Sequence, residues 1–315
     1  MFINLLPIDL LSKNFVPTTM FEEEKFIKAG NITGQARDYG KSLITEGASV
    51  LKILDKVEDF IMKKGAGIAF PAQISFNNVA AHACSDEQDE TTISADDVIK
   101  LDVGAHVDGY IGDTALTVNL SGQYKELVDA SKEALQQASK LFTPGTATGE
   151  IGRVIQDTIT DKGFSPVRNL SGHGLALYQI HTSPQIPNVF LKDSTELKEN
   201  MTVACEPFAT NGKGAIAEHG TATVFTLIGK RPVRSPFARE VLKKIESYNG
   251  LPFTTRWLSK EFGVGKTKLA LKELDRAGII HGHPPLKEIG NGLVSQHEHT
   301  FLVRDTPIIT TKIDE

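Results

Sequence analysis

Apolar residues recur at helical spacing through the first sixty-odd positions and then give way to alternation. In SVLKILDKVEDFIMKKG, Val50, Leu54, Val57 and Ile61 fall on one face, and Gly65 ends the run. Residues 49–64 therefore predict a helix. So do 21–45, where FEEEKFIKAG opens with the acidic residues that suit a helix N-terminus. Short strands are expected over 68–82. YKELVDASKEALQQASKLF predicts a long amphipathic helix stopped by Thr143-Pro144-Gly145. TGEIGRVIQDTITDKG predicts another, with Thr148 as its N-cap and Gly163 at its end. Strand patterns return at 165–173, 201–210, 221–228 and 293–310. This irregular alternation of helices and strands points to an α+β core and not to a doubly wound sheet.

One stretch breaks the apolar rule. Residues 99–118, IKLDVGAHVDGYIGDTALTV, form a hairpin pattern around Asp108-Gly109, a strong two-residue turn signal. With that turn, Val107 pairs with Tyr110 and Gly104 falls opposite Asp113. Asp102 shares the face of Gly104, because strand side chains alternate with period two. Asp102 and Asp113 are then diagonal neighbours, about 7–8 Å apart at Cα, with Gly104 leaving space beside them. Either aspartate alone reads as a turn or edge residue. Two on one face of an apolar hairpin call for a counter-ion, since like charges held together are costly.

Further polar residues stand in apolar, strand-like surroundings: His82 in FNNVAAHAC, His173 and His181 in VRNLSGHGLALYQIH, Glu206 in TVACEPFAT and Glu298 in GLVSQHEHTFLV. Singly, each has a bland reading as a hydrogen-bonded core histidine or a solvent-facing edge glutamate. Together, Asp102, Asp113, His173, Glu206 and Glu298 supply four carboxylates and one imidazole. Without metal such a cluster would repel itself, whereas two divalent cations would neutralise it. Paired cations bridged by carboxylates are a known means of activating water for hydrolysis. Oxygen ligands with one nitrogen suit manganese, iron, cobalt or zinc, and the sequence does not choose among them.

Composition narrows the field. The chain has 315 residues, 40% hydrophobic and 23% charged, and a formal charge of −5, which argues against a dedicated nucleic-acid binder. Two cysteines, Cys84 and Cys205, form no disulfide framework and fit a reducing compartment. No apolar run approaches a membrane span. Residues 1–19 lack the basic start and cleavage site of a signal peptide and read as an extension outside the core. Residues 231–290 carry twelve Lys/Arg against six Asp/Glu, hence +6, leaving −11 for the remainder. Their FTTRWLSKEFGVGKTKLALKELDRAGII resembles a winged-helix module. The basic residues alternate with Glu261, Glu273 and Asp275, so a small helical insert with basic exposed faces is favoured over DNA binding.

The order LDVG (101–104), GDTA (112–115), SGH (171–173), EPFAT (206–210) and QHEHT (296–300) resembles the methionine aminopeptidases, most closely the archaeal type II enzymes. The resemblance runs from about Met20 to the C-terminus. It implies the pita-bread α+β fold, with a catalytic domain of 20–230 and 291–315 interrupted by an inserted helical subdomain at 231–290. It also implies two divalent metals. Asp102 would bind one, His173 and Glu206 the other, and Asp113 and Glu298 both. Activated water would attack the first peptide bond of a methionyl peptide or nascent chain, with Glu206 as general base. His82 and His181 match the family's two substrate-site histidines. A small second residue, a cytoplasmic monomer and a transient ribosome contact are further expectations; a membrane and specific DNA are not.

Two departures bear on the pocket. After His82 the chain reads Ala83-Cys84-Ser85 where relatives carry Tyr-Thr-Pro, and His297 stands where phenylalanine is usual. Competing readings are a prolidase or proline-specific aminopeptidase of the same fold, and a non-catalytic nucleic-acid- or ribosome-binding relative. The first usually has a large extra N-terminal domain, whereas only 81 residues precede His82 here. The second has lost ligands that this chain keeps.

Overall fold

Helical periodicity at the start of the chain becomes α1 (Glu23–Leu43) and α2 (Val50–Lys63) in the computed structural model, which describes residues 22–192 and 194–313. The expected extension at 1–19 lies outside the described residues. The Ser49 hydroxyl accepts the Lys52 N–H at the start of α2. Val50, Ile53, Leu54, Val57 and Ile61 bury one side of that helix. They pack on an antiparallel sheet of β1 (Gly67–Phe76), β3 (Ile99–Val107) and β4 (Tyr110–Val118); β2 (Val79–Ala81) lies apart, in another sheet. The hairpin has the expected register: Val107 faces Tyr110, Gly104 faces Asp113, and Asp102 faces Ala115. Its turn residues have φ 51° at Asp108 and 91° at Gly109, the left-handed pair that a two-residue hairpin demands.

A second pair of helices, α3 (Lys125–Ala138) and α4 (Thr148–Asp161), covers the other half. The predicted long helix ends its α portion at Ala138 and continues as one tighter turn, Ser139–Leu141. Thr148 is not the N-cap of α4. Ala147 holds that place in extended conformation and bridges to Glu196, so the Thr148 N–H goes to the Thr195 carbonyl at 2.9 Å. A neighbouring strand segment thus satisfies the helix start that a hydroxyl was expected to cap. Gly163 follows the helix with φ 80°, as its position suggested. Under these helices run β5 (Ser165–Pro166), β6 (Ser171–Ala176), β7 (Gln179–Pro187), β8 (Thr202–Cys205) and β9 (Phe208–Thr210), around a core in which Phe142 and Phe301 stack at 4.0 Å.

The remaining elements are β10 (Ile216–Glu218), β11 (Val224–Leu227), α5 (Pro236–Glu246), β12 (Phe253–Thr254), α6 (Thr255–Phe262), α7 (Val264–Arg276), β13 (Ile280–His283), β14 (Leu286–Glu288), β15 (Val294–Gln296), β16 (His299–Leu302) and β17 (Ile308–Ile309). Helices α5–α7 pack on the sheet β12-β11-β13 around their own core of Val241, Ile245, Phe253, Leu258 and Leu274. Within this region the expected basic face is incomplete, because Arg256 is fully buried against Glu58 of α2. The strand expected over 293–310 is broken at His297–Glu298, where the Glu298 N–H leaves the ladder to reach the Ala115 carbonyl at 2.9 Å. Among the described residues, no helix is long and apolar enough to cross a membrane.

Because Gly109 has positive φ and a Cβ there would meet the Tyr178 ring, Gly109→Ala is expected to lower stability by about 1–2 kcal/mol, read as a lower denaturant midpoint at unchanged slope.

Candidate metal centre

The hairpin reaches the C-terminal strands through threonine hydroxyls that stand in for a missing backbone ladder. Thr300 Oγ1 accepts the Asp113 N–H at 2.8 Å and donates to the Asp113 carbonyl at 2.6 Å. Thr117 Oγ1 does the same for Gln296, at 2.8 and 2.7 Å. Thr114 Oγ1 donates to the Glu298 carbonyl at 2.6 Å. These bonds fix Asp113 and Glu298 side by side, although they lie far apart along the chain.

Asp102 and Asp113 on the hairpin, His173 on β6, Glu206 just beyond β8 and Glu298 in the break between β15 and β16 all line one cavity of about 730 Å³ including its mouth. Ligand atoms of Asp113, His173 and Glu298 lie within 4.8 Å of one another. His173 Nε2 is 3.7 Å from Asp113 Oδ2 and 3.9 Å from Glu206 Oε1. Gln296 Nε2 donates to Glu206 Oε2 at 3.3 Å. The space expected beside Gly104 is not open. The Phe70 ring fills it and forms one wall of the cavity, and any Cβ on Gly104 would strike that ring.

Burial, more than mutual repulsion, dominates the electrostatics. It pushes Asp102 up to about 7 and holds Asp113, Glu206 and Glu298 well above the usual carboxylate range, the last three raised further by acidic neighbours. Asp102 Oδ1 and Gln73 Oε1 are buried acceptors with no hydrogen-bond donor, and both residues line the cavity. Four crowded carboxyl groups, one of them with an unpartnered buried oxygen, and one neutral imidazole fit divalent cations better than any arrangement of the protein's own donors. Burial lowers His173 to about 4, so its ring is neutral and has a nitrogen lone pair to offer.

His82 and His181 enter the same cavity from the other side. The His181 ring meets His173 edge-on at 4.4 Å between centroids. His82 has φ 64°, a conformation that a residue of its bulk adopts only when its neighbours enforce it. Sequence reading missed His283, which packs edge-on to His82 at 5.9 Å and bonds Thr226 Oγ1 through Nε2 at 2.9 Å. Its signal was HGHPP, where a histidine precedes two prolines at a strand end. His297 does not line this cavity; its Nδ1 bonds Ser131 Oγ at 2.9 Å on the far side, so that departure leaves the pocket wall untouched. Cys84 is buried between β1 and α6, also outside the cavity lining.

Comparison with known proteins agrees with this architecture. Residues 24–230 match the model of metallopeptidase family M24. A methionine aminopeptidase of Archaeoglobus fulgidus is 46% identical over 291 residues, covering 92% of this chain and 98% of its own. One from Methanocaldococcus jannaschii is 43% identical with the same coverage. The crystal structure of methionine aminopeptidase from Thermotoga maritima superposes with a TM-score of 0.69 at 22% identity, covering 94% of this chain and 98% of that one, and so supports the fold. On this footing the chain belongs to metallopeptidase family M24 and, within it, to the methionine aminopeptidases.

Proposed function

We infer that the chain hydrolyses the first peptide bond of methionyl peptides and nascent chains, releasing N-terminal methionine when the second residue is small. The carrying observation is the convergence of Asp102, Asp113, His173, Glu206 and Glu298 in one cavity that also has an apolar wall. Those five residues would hold two divalent cations of the cobalt, manganese, iron or zinc type. The cations would supply positive charge that keeps the carboxyl groups ionised, and would acidify a water for attack.

The residues' own tasks follow from their places. Glu206 has one oxygen held by Gln296 and the other facing His173, which leaves its carboxylate aligned to take the proton of attacking water. His82, lowered to about 4 by burial, is neutral; its one N–H goes to the Pro284 carbonyl, which leaves the other nitrogen to accept the N–H of the scissile amide. His181 stands beside it for the same purpose. Phe70, Leu170, Ile180, Phe208 and Val224 give the cavity an apolar side for a methionine thioether. The free α-amino group of the substrate, next to the acidic cluster, confines cleavage to the chain end. We read 231–290 as a scaffold for this cavity, since His283 at its exit lines the wall.

The test is mass spectrometry of a Met-Ala-Ser peptide incubated with chelated and then metal-restored protein. Methionine release only after restoration is expected. Release of proline-adjacent residues, with Met-Ala-Ser left intact, would favour the prolidase reading. Asp113→Asn is expected to cut turnover by roughly 10³-fold or more while near-native melting is kept, because charge is lost at constant volume. His82→Ala is expected to lower kcat by about 10²-fold with bound metal unchanged; metal loss in step with activity would remove it from the substrate.

The raised carboxyl groups also fix a pH response. A carboxyl whose folded pKa lies above its unfolded value, about 4, binds more protons folded, so it loses stability as pH rises. The lowered histidines act oppositely, but only below about 6.5. Metal-free protein should therefore become less stable between about pH 6.5 and 8, and a divalent cation should abolish that slope. Denaturant midpoints across this range, with and without manganese, measure it.

A further inference from the structure

Arg256 is the largest fully buried side chain among the described residues, and its partners lie in a different part of the fold. From the start of α6 its guanidinium reaches α2, donating from Nη1 to Glu58 Oε2 at 2.9 Å and from Nη2 to Glu58 Oε1 at 2.6 Å. Nη1 also meets Asp55 at 2.5 Å. Trp257 Nε1 donates to Glu58 Oε2 at 2.8 Å, and the Ala72 N–H of β1 donates to Glu58 Oε1 at 3.2 Å. Arg256 Nε has no acceptor. A buried ion pair with an orphaned donor is a weak way to stabilise a fold, since well-packed apolar residues do as well or better. Its two-pronged grip does fix the relative position of α6, α2 and β1.

What lies at that junction is the peptide that follows His82. Cys84 Sγ sits 3.6 Å from the Ala72 carbonyl and 3.6 Å from Thr254 Oγ1, and Thr254 is the N-cap of α6. Thr223 Oγ1 donates to the Cys84 carbonyl at 2.7 Å, and the Ile74 N–H donates to the Ala83 carbonyl at 3.2 Å. Residues 83 and 84 are thus pinned from β1 on one side and from β11 and α6 on the other. His82 is the next residue back, held at φ 64°, a torsion that must be imposed from outside.

We propose that the Arg256–Glu58 pair is a positioning device for His82: by locking α6 to α2 and β1 it fixes the 83–84 peptide and so aims the His82 ring into the cavity. Arg256 touches no substrate, and the proposal rests on the reading that His82 does. It also gives the inserted helices a task in catalysis that needs no nucleic acid.

The experiment is a double-mutant cycle between Arg256→Met/Glu58→Gln and His82→Ala in the metal-loaded enzyme. The paired substitution leaves no lone buried charge, which avoids the unfolding expected of Arg256→Met alone. In the native background kcat is expected to fall about tenfold, with KM and bound metal within about twofold. On the His82→Ala background the same change should alter kcat by less than about twofold. Arg256→Lys, which keeps the charge but not the fork, should give an intermediate kcat. In metal-free protein the His82 imidazole NMR resonance should shift in Arg256→Met/Glu58→Gln, whereas that of exposed His219 should not. An unchanged kcat, an equal loss in both backgrounds, or a fixed His82 resonance would overturn the proposal. Full turnover of His82→Ala alone would defeat the substrate reading and this inference together; a crippled His82→Ala beside an unaffected Arg256→Met/Glu58→Gln would defeat the inference alone.

Discussion

Everything in this protein is arranged around the difficulty of keeping four carboxyl groups in one desolvated cavity. Each of Asp102, Asp113, Glu206 and Glu298 is raised by burial and raised again by the others except Asp102, where burial acts alone against a Gln296 hydrogen bond. The backbone cannot relax to relieve this. Thr114, Thr117 and Thr300 rivet β4 to the strands on either side of Glu298, and each hydroxyl is buried with its bonds made. Carboxyl groups held in this way make a strong receptor for cations, because a cation supplies the charge partner that burial denies their ionised forms.

Two smaller apolar clusters line that cavity, Phe70 with Ile180 and Leu170 with Phe208, and three larger cores stand behind it. One lies under α1 and α2, a second under α3 and α4, and the third within α5–α7. The first two supply the acidic side chains from the strands that they support. The third supplies His283 and, through Arg256, a tie to α2. Asp102, Asp113 and His173 are thus carried within paired strands, Glu206 and Glu298 by a strand end and a break, while the helices serve as rigid backing.

How much of this could be read beforehand depends on the range of the forces involved. The hairpin was legible because its register is set by two turn residues and by alternation, both local. The acidic residues were legible as misfits in apolar strands. Strand β7 was not, since QIHTSPQIP carries two prolines and little alternation, and its pairing with β6 supplies what its propensities lack. Thr148 misled because a hydroxyl before a helix looks like a cap, and only the distant Thr195–Glu196 segment shows that the end is already satisfied. The threonine rivets act across separations near 180 residues with no pattern along the chain to betray them, and His283 meets His82 across about 200, with HGHPP as its local signal. Gly104 was read as a vacancy, whereas the third strand of its sheet fills the gap with Phe70.

The hairpin and the threonine rivets also impose an order of assembly. Asp102 and Asp113 are brought together by contacts no farther apart than Ile99 and Val118, which close quickly and at small entropic cost. Glu298 joins them through bonds that span 184 and 187 residues. On a chain emerging from its N-terminus, half of the acidic receptor exists long before the last carboxylate has been synthesised. The acidic cluster therefore stays half-built until the segment around Glu298 has been made.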